Sequence, residues 1–208
     1  MIIISFAPDQ NGCFSKEADR LSSLILTDLF DNEIGTMSKS EAHRLGRLHR
    51  AFSVFIVDGG KMLIQKRHRD KYHSGGLWAN ACCSHPVQGE TLAQAVPRRL
   101  KEELGIQCAA RELFSFVYFT KYAHDLFEYE YDHVFLAEYS GTCDFDRSEI
   151  EELQWITFEE LEQRMLEKPQ EFASWFMIAA PKVLQILRSD LSGGEQHGKR
   201  IDNNGSKR

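Results

Sequence analysis

The chain has 208 residues, of which 42% are hydrophobic, enough for one domain of ordinary size with a sizeable core. A formal net charge of −6 argues against a nucleic acid or an anionic membrane surface as the main partner, so local basic residues must bind any anionic substrate. The chain shows no signal peptide and no membrane-spanning run, so we expect a soluble, cytoplasmic protein. Its five cysteines form no CxxC pair, and we expect reduced thiols. We also expect a monomer or weak homo-oligomer.

The first half of the chain predicts strands joined by turns. Strands are expected at Leu24–Phe30, His49–Val57 and Lys61–Arg67. The turn Asp58-Gly59-Gly60 predicts a hairpin between the second and third of these strands. Residues 7–20 predict an irregular lead-in, and residues 68–79 a loop rich in basic residues and glycine.

The second half predicts helices among further strands. Residues 90–104 have helical periodicity ended by Gly105, and Pro97 either kinks this helix or marks its start. Strands are expected at Leu113–Tyr118, Glu128–Ala137 and Gln154–Ile156, and helices after the N-cap Thr157, with Glu160 completing a capping box, and over Phe172–Leu187, interrupted or capped near Pro181. The pattern predicts one mixed α/β domain over residues 1–188 and a disordered tail over 189–208.

The predicted helix over residues 90–104 carries several carboxylates and two arginines. Magnesium prefers a few carboxylates plus phosphate oxygens, and the adjacent Glu102 and Glu103 offer such a pair. Arg98 and Arg99 could bind either the glutamates or a diphosphate. The alternative interpretation is a solvated amphipathic helix with charged pairs.

The order of residues around this helix resembles the Nudix box, whose pattern is Gly-x5-Glu-x7-Arg-Glu-U-x-Glu-Glu-x-Gly-U with U aliphatic. The similar run begins at Ser84 and ends at Ile106. Ser84 replaces the first glycine of the pattern, and Arg99 replaces the glutamate after the box arginine. A cation in place of a metal-binding carboxylate weakens the case for diphosphate hydrolysis.

Glu128 and Glu130 lie two residues apart on a predicted strand, so their side chains share one face. Two like charges there are unfavourable unless a cation lies between them. His43, His49 and His85 could join them around manganese or zinc. Each histidine taken alone is more often a satisfied polar residue than a ligand.

Cys83 lies two residues before His85, in the segment Asn80–Pro86. A thiol beside a metal ligand could serve as an acid or base. An inert core thiol is the alternative, because free cysteine is commonly buried. If the segment is extended, the neighbouring Cys82 points the other way and packs in the core.

Taken together, the chain from about Leu24 to Leu187 resembles the type I isopentenyl-diphosphate isomerases, a family with the Nudix fold. The resemblance implies an α/β/α sandwich with a mixed, largely antiparallel sheet. The segments that carry it are Ile34–Lys39, Ala42-His43, Leu48–Ser53, Leu77–Pro86, the degenerate box, Glu128–Phe135 and Ser174–Phe176.

The resemblance also implies a role for individual residues. The metal ligands would be His43, His49, His85, Glu128 and Glu130, with Glu103 holding magnesium against the diphosphate. Cys83 and Glu130 would be the acid/base pair on opposite faces of the substrate, assisted by the hydroxyl of Tyr118, for which Tyr122 is a competing candidate. The diphosphate and its surroundings would be contacted by Lys39, Arg67, Lys71, Ser84 and Arg99, and the hydrocarbon end would be covered by Trp175.

The implied activity is metal-dependent interconversion of isopentenyl and dimethylallyl diphosphate through a carbocation, in isoprenoid biosynthesis. Its implied cofactors are Mg²⁺ linked to the diphosphate and Mn²⁺, Zn²⁺ or Mg²⁺ at the His/Glu site. A Nudix diphosphohydrolase and a non-catalytic ligand-binding domain are the alternatives. No redox cofactor is expected, because the chain has no flavin or nicotinamide fingerprint.

Overall fold

A computed structural model of the chain describes residues 23–71, 73–122 and 126–198, with side chains as far as residue 190. Within these ranges the chain forms nine strands, four α-helices and a short 3-10 helix at Pro169–Glu171. The strands are β1 (Ser23–Thr27), β2 (Glu33–Ser38), β3 (His49–Asp58), β4 (Lys61–Arg67), β5 (Trp78–Asn80), β6 (Cys82–Ser84), β7 (Ala110–Tyr122), β8 (Leu126–Glu138) and β9 (Ile150–Thr157). The helices are α1 (Lys39–Leu45), α2 (Leu92–Leu104), α3 (Phe158–Glu167) and α4 (Ser174–Gly198).

The strands form one mixed sheet with β3 at its centre. β3 is parallel to β8, and every other pairing among the described strands is antiparallel. The predicted hairpin joins β3 to β4, and Gly59 and Gly60 both have positive φ, which the tightest hairpin turns require. The predicted mixed, largely antiparallel sheet is confirmed.

Helices cover both faces of this sheet, because alternate residues of β3 point to opposite sides. Phe55 packs with Phe176 of α4 in one buried cluster, which also contains residues of α3. Phe52 and Val54 belong to a second cluster with Leu100 of α2. The result is the predicted three-layer α/β/α sandwich.

Two elements near the start of the described chain are missing from the sequence prediction. β1 ends at Thr27, and the Asp28 side chain then accepts hydrogen bonds from the backbone N–H groups of Phe30 and Asn32. The strand predicted as far as Phe30 is therefore too long, and that ring is 84% exposed. β2 and α1 were missed because β2 lies largely exposed and α1 has only seven residues.

The helix boundaries differ from the prediction in two places. α2 begins at Leu92 with a capping box formed by Thr91 and Gln94, so Pro97 lies inside the helix and does not mark its start. α4 continues past Pro181 to Gly198, so residues 189–198 are helical where a tail was expected. The predicted capping box of Thr157 and Glu160 is present.

Residues 199–208 and the predicted lead-in at 7–20 lie outside the described residues. None of the helices that the described residues form is both long and apolar enough to cross a bilayer.

Candidate active site and metal centre

Strand register brings distant residues of the candidate site onto one face of the sheet. Glu130 on β8 is directly opposite His49 on the parallel β3 and Tyr118 on the antiparallel β7. Cys83 on β6 is opposite Ser53, which shares its face of β3 with His49 because the two lie an even number of residues apart. Three strand pairings therefore determine which residues meet.

Backbone carbonyl groups orient two of the histidines. His43 Nδ1 lies 2.6 Å from the carbonyl oxygen of Lys39, one turn earlier on α1, and His49 Nδ1 lies 2.8 Å from that of Arg47. A carbonyl can only accept, so each Nδ1 carries the proton and each Nε2 presents a lone pair. This arrangement is typical of histidines that bind metals through Nε2.

Two groups of side chains have the spacing of a metal site among the described residues, and they share one histidine. Within each group the candidate ligand atoms lie within 4.8 Å of one another. The first group consists of His43, His49, His85 and Glu130, and the second of His43, His73 and Glu128.

The bonding of His49 indicates that a cation fits the first group. Its Nε2 is buried and makes no hydrogen bond within the described part of the chain, although it lies 3.5 Å from Glu130 Oε1. A lone pair facing a carboxylate oxygen is unfavourable unless a cation lies between them. The residues present therefore fit a divalent metal ion.

Burial keeps the neighbouring imidazoles neutral. Burial lowers the pKa of His85 to about 3 and that of His43 to about 4. A neutral imidazole is the form that binds metal ions. The site thus offers nitrogen ligands throughout the neutral pH range.

The carboxylates of Glu128 and Glu130 also contact the phenol of Tyr118. Tyr118 Oη lies 2.6 Å from Glu130 Oε2 and 3.1 Å from Glu128 Oε2, and His85 Nε2 lies 2.8 Å from Glu130 Oε1. Burial favours the protonated acid, but the neighbouring imidazoles of His49 and His85, the latter in hydrogen-bond contact, hold the pKa of Glu130 well below its usual range. Burial, together with the negative charge of Glu130 and Glu128, raises the pKa of Tyr118, which remains a donor.

The Cys83 thiol has two polar neighbours on the same face. Its Sγ lies 3.0 Å from Asn80 Oδ1, and the indole N–H of Trp175 donates to Sγ over 3.2 Å. Burial raises the pKa of Cys83, so the thiol is protonated at neutral pH. Cys82 lies in the opposite core with α2, as its alternate position predicted.

Several of these groups, though not His43 or His49, line a cavity of about 40 Å³. It is lined by the predicted site residues Lys39, Arg67, Cys83, Ser84, His85, Tyr118, Glu128, Glu130 and Trp175, and by His73. A larger cavity of about 520 Å³ near the β3–β4 turn has neither a thiol nor an imidazole among its lining residues. Of these two cavities, only the smaller one has both thiol and imidazole side chains in its lining.

Basic side chains gather on one side of this cavity. Arg67 Nε is buried without a hydrogen bond among the described residues, and its guanidinium lies 5.2 Å from the centre of a Trp175 ring. Burial lowers the pKa of Lys39; the charge of Glu130 opposes this change, and those of Lys71 and Arg67 add to it. Lys71 also forms an ion pair with Glu149. An anionic group would relieve this crowding of positive charge.

The box residues of α2 have other partners. Arg99 forms ion pairs with Glu102 and with the buried Glu103, and Arg98 lies 2.6 Å from Glu90 and 3.1 Å from Glu102. Neither group with metal-site spacing includes Glu103. Its role beside magnesium, and that of Arg99 beside the diphosphate, remain predictions.

Two tyrosines compete for contact with the carboxylates. Tyr118 reaches both Glu128 and Glu130, whereas Tyr122 Oη lies 3.2 Å from Glu128 Oε2 and does not line the cavity. The geometry favours Tyr118 as the hydroxyl beside the acid/base pair.

His73 is the site residue that the sequence analysis missed. It is 7% exposed, and its Nε2 lies 2.7 Å from Glu128 Oε1. A histidine in a loop rich in basic residues and glycine, which also contains His68, carries no motif. Only the path of the loop brings it into the cavity.

Comparison with known proteins shows that the chain contains a NUDIX domain. The NUDIX domain family model matches residues 47–176. Among solved structures, the fold resembles that of the DR0079 protein from Deinococcus radiodurans, at 22% identity and a TM-score of 0.59, covering 70% of this chain and 90% of that one. It also resembles that of a MutT NUDIX hydrolase from Burkholderia pseudomallei, at 25% identity and a TM-score of 0.51, covering 64% and 95% of the two chains.

Curated relatives identify the family within the NUDIX proteins. An isopentenyl-diphosphate Delta-isomerase 2 from Aromatoleum aromaticum is 40% identical, covering 82% of this chain and 90% of the relative. An isopentenyl-diphosphate Delta-isomerase from Burkholderia multivorans is 44% identical over 74% of this chain and 88% of the relative. The chain therefore belongs to the isopentenyl-diphosphate Delta-isomerase family of NUDIX proteins.

Proposed function

We propose that the protein interconverts isopentenyl diphosphate and dimethylallyl diphosphate, a step of isoprenoid biosynthesis. The observation that carries this proposal is a protonated thiol, Cys83, and an ionised carboxylate, Glu130, that line the same small cavity. The family membership of the chain supports the same reaction.

The reaction needs one proton donor and one proton acceptor. A proton added to the methylene carbon of the alkene produces a tertiary carbocation, and loss of a proton from the CH2 group between the cationic carbon and the diphosphate-bearing carbon forms the new double bond. The composition of the substrate is unchanged. Because an alkene is a very weak base, both groups must be held close to the reacting carbons.

Cys83 and Glu130 provide this pair in our proposal. Asn80 and Trp175 hold the thiol, while Tyr118 and His85 hold the carboxylate. The two groups exchange roles when the reaction runs in reverse. The indole face of Trp175 stabilises the carbocation without acting as a nucleophile.

His43, His49, His85, Glu128 and Glu130 would hold a divalent cation, Mn²⁺, Zn²⁺ or Mg²⁺. When bound, the ion supplies positive charge that tunes the acidity of the surrounding carboxyl and phenol groups. The chain's own residues perform the remaining tasks, which are to hold the ligands in place and keep bulk water out.

The basic residues would anchor the diphosphate. Lys39, Arg67 and Ser84 line the cavity, and Lys71 lies close enough to influence the charge of Lys39. Glu103 would hold Mg²⁺ against the diphosphate, with Arg99 beside it. Binding energy from this end of the substrate would position the alkene between Cys83 and Glu130.

The ion pairs on α2 weigh against a diphosphohydrolase. Glu90, Glu102 and Glu103 all have an arginine partner, and Arg99 occupies the position of a box glutamate. A hydrolytic metal cluster would have to displace these arginines.

The test is proton and phosphorus NMR of isopentenyl diphosphate with the purified protein and magnesium in deuterated water. The proposal predicts growth of dimethylallyl diphosphate with deuterium incorporated and the diphosphate intact. Phosphate release without allylic product would transfer the assignment to a hydrolase. An unchanged spectrum with metal bound would favour a non-catalytic domain.

A further inference from the structure

The second group with metal-site spacing contains a histidine that no motif of the sequence assigns. His73 lies between β4 and β5, and its candidate ligand atom lies within 4.8 Å of those of His43 and Glu128. We propose that His73 is an additional protein ligand of the divalent cation, so that the centre has four imidazoles and two carboxylates. This inference rests on the proposed function only in placing a cation at this site.

His73 and His85 lie at similar distances from the shared His43. The ring centres of His43 and His73 are 6.2 Å apart, and those of His43 and His85 are 6.1 Å apart. His73 is therefore about as far from the shared histidine as His85, a member of the first group. A cation beside His43 Nε2 can be reached from both sides.

The candidate ligand atoms of His73 and Glu128 are close together. His73 Nε2 lies 2.7 Å from Glu128 Oε1. Two ligands at right angles on one ion, with bonds of about 2.1 Å, lie about 3 Å apart. The pair is thus already close to the separation of neighbouring ligands in an octahedral site.

The imidazole of His73 is oriented with Nε2 toward the site. His73 Nδ1 lies 3.4 Å from Ser74 Oγ, while its Nε2 faces the carboxylate. The same division, with Nδ1 toward a nearby oxygen and Nε2 toward the site, is found in His43 and His49. The rings of Tyr122, stacked at 5.0 Å, and Trp175, edge-on at 6.1 Å, hold the imidazole in place.

The loop backbone is shaped to deliver this side chain. Ser74 has a positive φ of 51°, a conformation that costs free energy for a residue other than glycine. At Gly75 a Cβ atom would overlap the carbonyl oxygen of Arg69. Ser74 and Gly75 thus allow the tight bend that turns His73 into the cavity.

A fourth imidazole would also favour particular metals. Imidazole nitrogen suits Zn²⁺, whereas Mg²⁺ prefers oxygen ligands and water. We therefore expect His73→Gln to weaken Zn²⁺ binding on the order of tenfold or more, with Mg²⁺ binding changed by no more than about threefold. If His73 only held Glu128 in position, Mg²⁺ affinity would fall at least as much as Zn²⁺ affinity, because that metal depends on the carboxylates.

The experiment measures Zn²⁺ and Mg²⁺ affinities of the full chain by competition titration for the wild type, His73→Gln and His68→Gln. His68 lies on the same loop, outside both metal groups, and controls for changes in the loop. His73→Phe keeps a ring against Tyr122 and separates the loss of nitrogen from the loss of packing. Equal losses for the two metals, or unchanged Zn²⁺ affinity in both His73 variants, would overturn the proposal.

A crystal structure grown with Mn²⁺ gives the direct answer. An anomalous peak within about 2.3 Å of His73 Nε2 supports a bound nitrogen. A peak held by the other residues, with His73 Nε2 more than about 3 Å away, overturns it. Isomerase activity of the wild type is measured separately, so failure of this inference is distinct from failure of the proposed function.

Discussion

Two clusters of acidic side chains among the described residues are neutralised in different ways. The arginine cluster consists of Glu90, Arg98, Arg99, Glu102 and Glu103. The imidazole cluster consists of His43, His49, His73, His85, Glu128 and Glu130. Arginine is always charged, so the first cluster is already compensated, whereas neutral imidazoles leave the second in need of a cation.

The difference between the two clusters indicates that the partner of a carboxylate determines whether that carboxylate can bind a metal ion. A metal ion at the arginine cluster must compete with fixed guanidinium groups. At the imidazole cluster, the buried nitrogen lone pair of His49 turned toward Glu130 favours binding of an ion. In the proposed reaction the first cluster would serve structure and the anionic end of the substrate, and the second would serve proton transfer.

The largest expected effect separates the two clusters by activity. Glu130→Gln removes a proton-transfer group, and we expect kcat to fall roughly a thousandfold, within the usual range for such groups. Cys83→Ala should cause a similar loss. Glu102→Gln, a matched change in the arginine cluster, should stay within about threefold, because Glu102 is exposed and does not line the cavity.

Steady-state rates of the three variants, with circular dichroism as a check of folding, test this difference. Full activity in Glu130→Gln or Cys83→Ala would remove the acid/base roles assigned to them. A loss in Glu102→Gln as large as in Glu130→Gln would erase the distinction between the clusters.

In the absence of the diphosphate substrate, metal removal should affect only the imidazole cluster. An ion present at a hundred times its dissociation constant stabilises the fold by about 2.7 kcal/mol. We expect a chelator to lower the thermal midpoint of the wild type, and to have little effect on His49→Ala, which lacks one ligand. Differential scanning fluorimetry with and without added Mn²⁺ measures both, and an equal chelator effect in the two proteins would contradict the assignment of His49.

Breaking the buried pair of the arginine cluster should cost stability. Arg99→Ala leaves Glu103, which is 3% exposed, without its guanidinium partner. Because Arg99 itself is partly exposed, we expect a loss of about 2 kcal/mol, between the values for surface and buried pairs. Urea unfolding measures the change. The double variant Arg99→Leu with Glu103→Gln should recover part of it, and no recovery would show that charge is not the cause.

The smallest effect is a pH dependence at the edge of the same cluster. Burial alone would raise the pKa of Glu90, but hydrogen bonds from Arg98 and the Val87 N–H hold it below 4.5. The folded pKa is lower than the unfolded one, so the stabilisation is present above pH 4.5 and is lost as pH falls through the folded value.

Glu90→Gln should therefore destabilise the protein by about 1 kcal/mol at pH 7 and by progressively less in acid. Urea unfolding of both proteins between pH 7 and pH 3 measures the difference, with the exposed Glu167→Gln as control. A difference that stays constant with pH would exclude the ionised pair as its source.

Much of the fold could be read from local patterns. The β3–β4 hairpin, the helix ending at Gly105 and the capping box at Thr157 each depend on residues close together in the chain. The exposed β2 and the short α1 have too weak a pattern of burial to be recognised, and the helix beyond Leu187 lacks apolar periodicity. Local preference therefore decided the strong elements and failed for the weak ones.

The sequence by itself determined the set of chemical groups: Cys83, His85 and the Glu128–Glu130 pair suggested proton transfer near a metal ion, and the resemblance to the isomerase family supplied their expected roles. Only the tertiary structure decided which groups meet. The register of β3 with β8 places Glu130 opposite His49, and the bend at Ser74 brings His73 to Glu128. The reason is physical: residue type and spacing act over a few residues, whereas contacts across strands and loops depend on how the whole sheet packs.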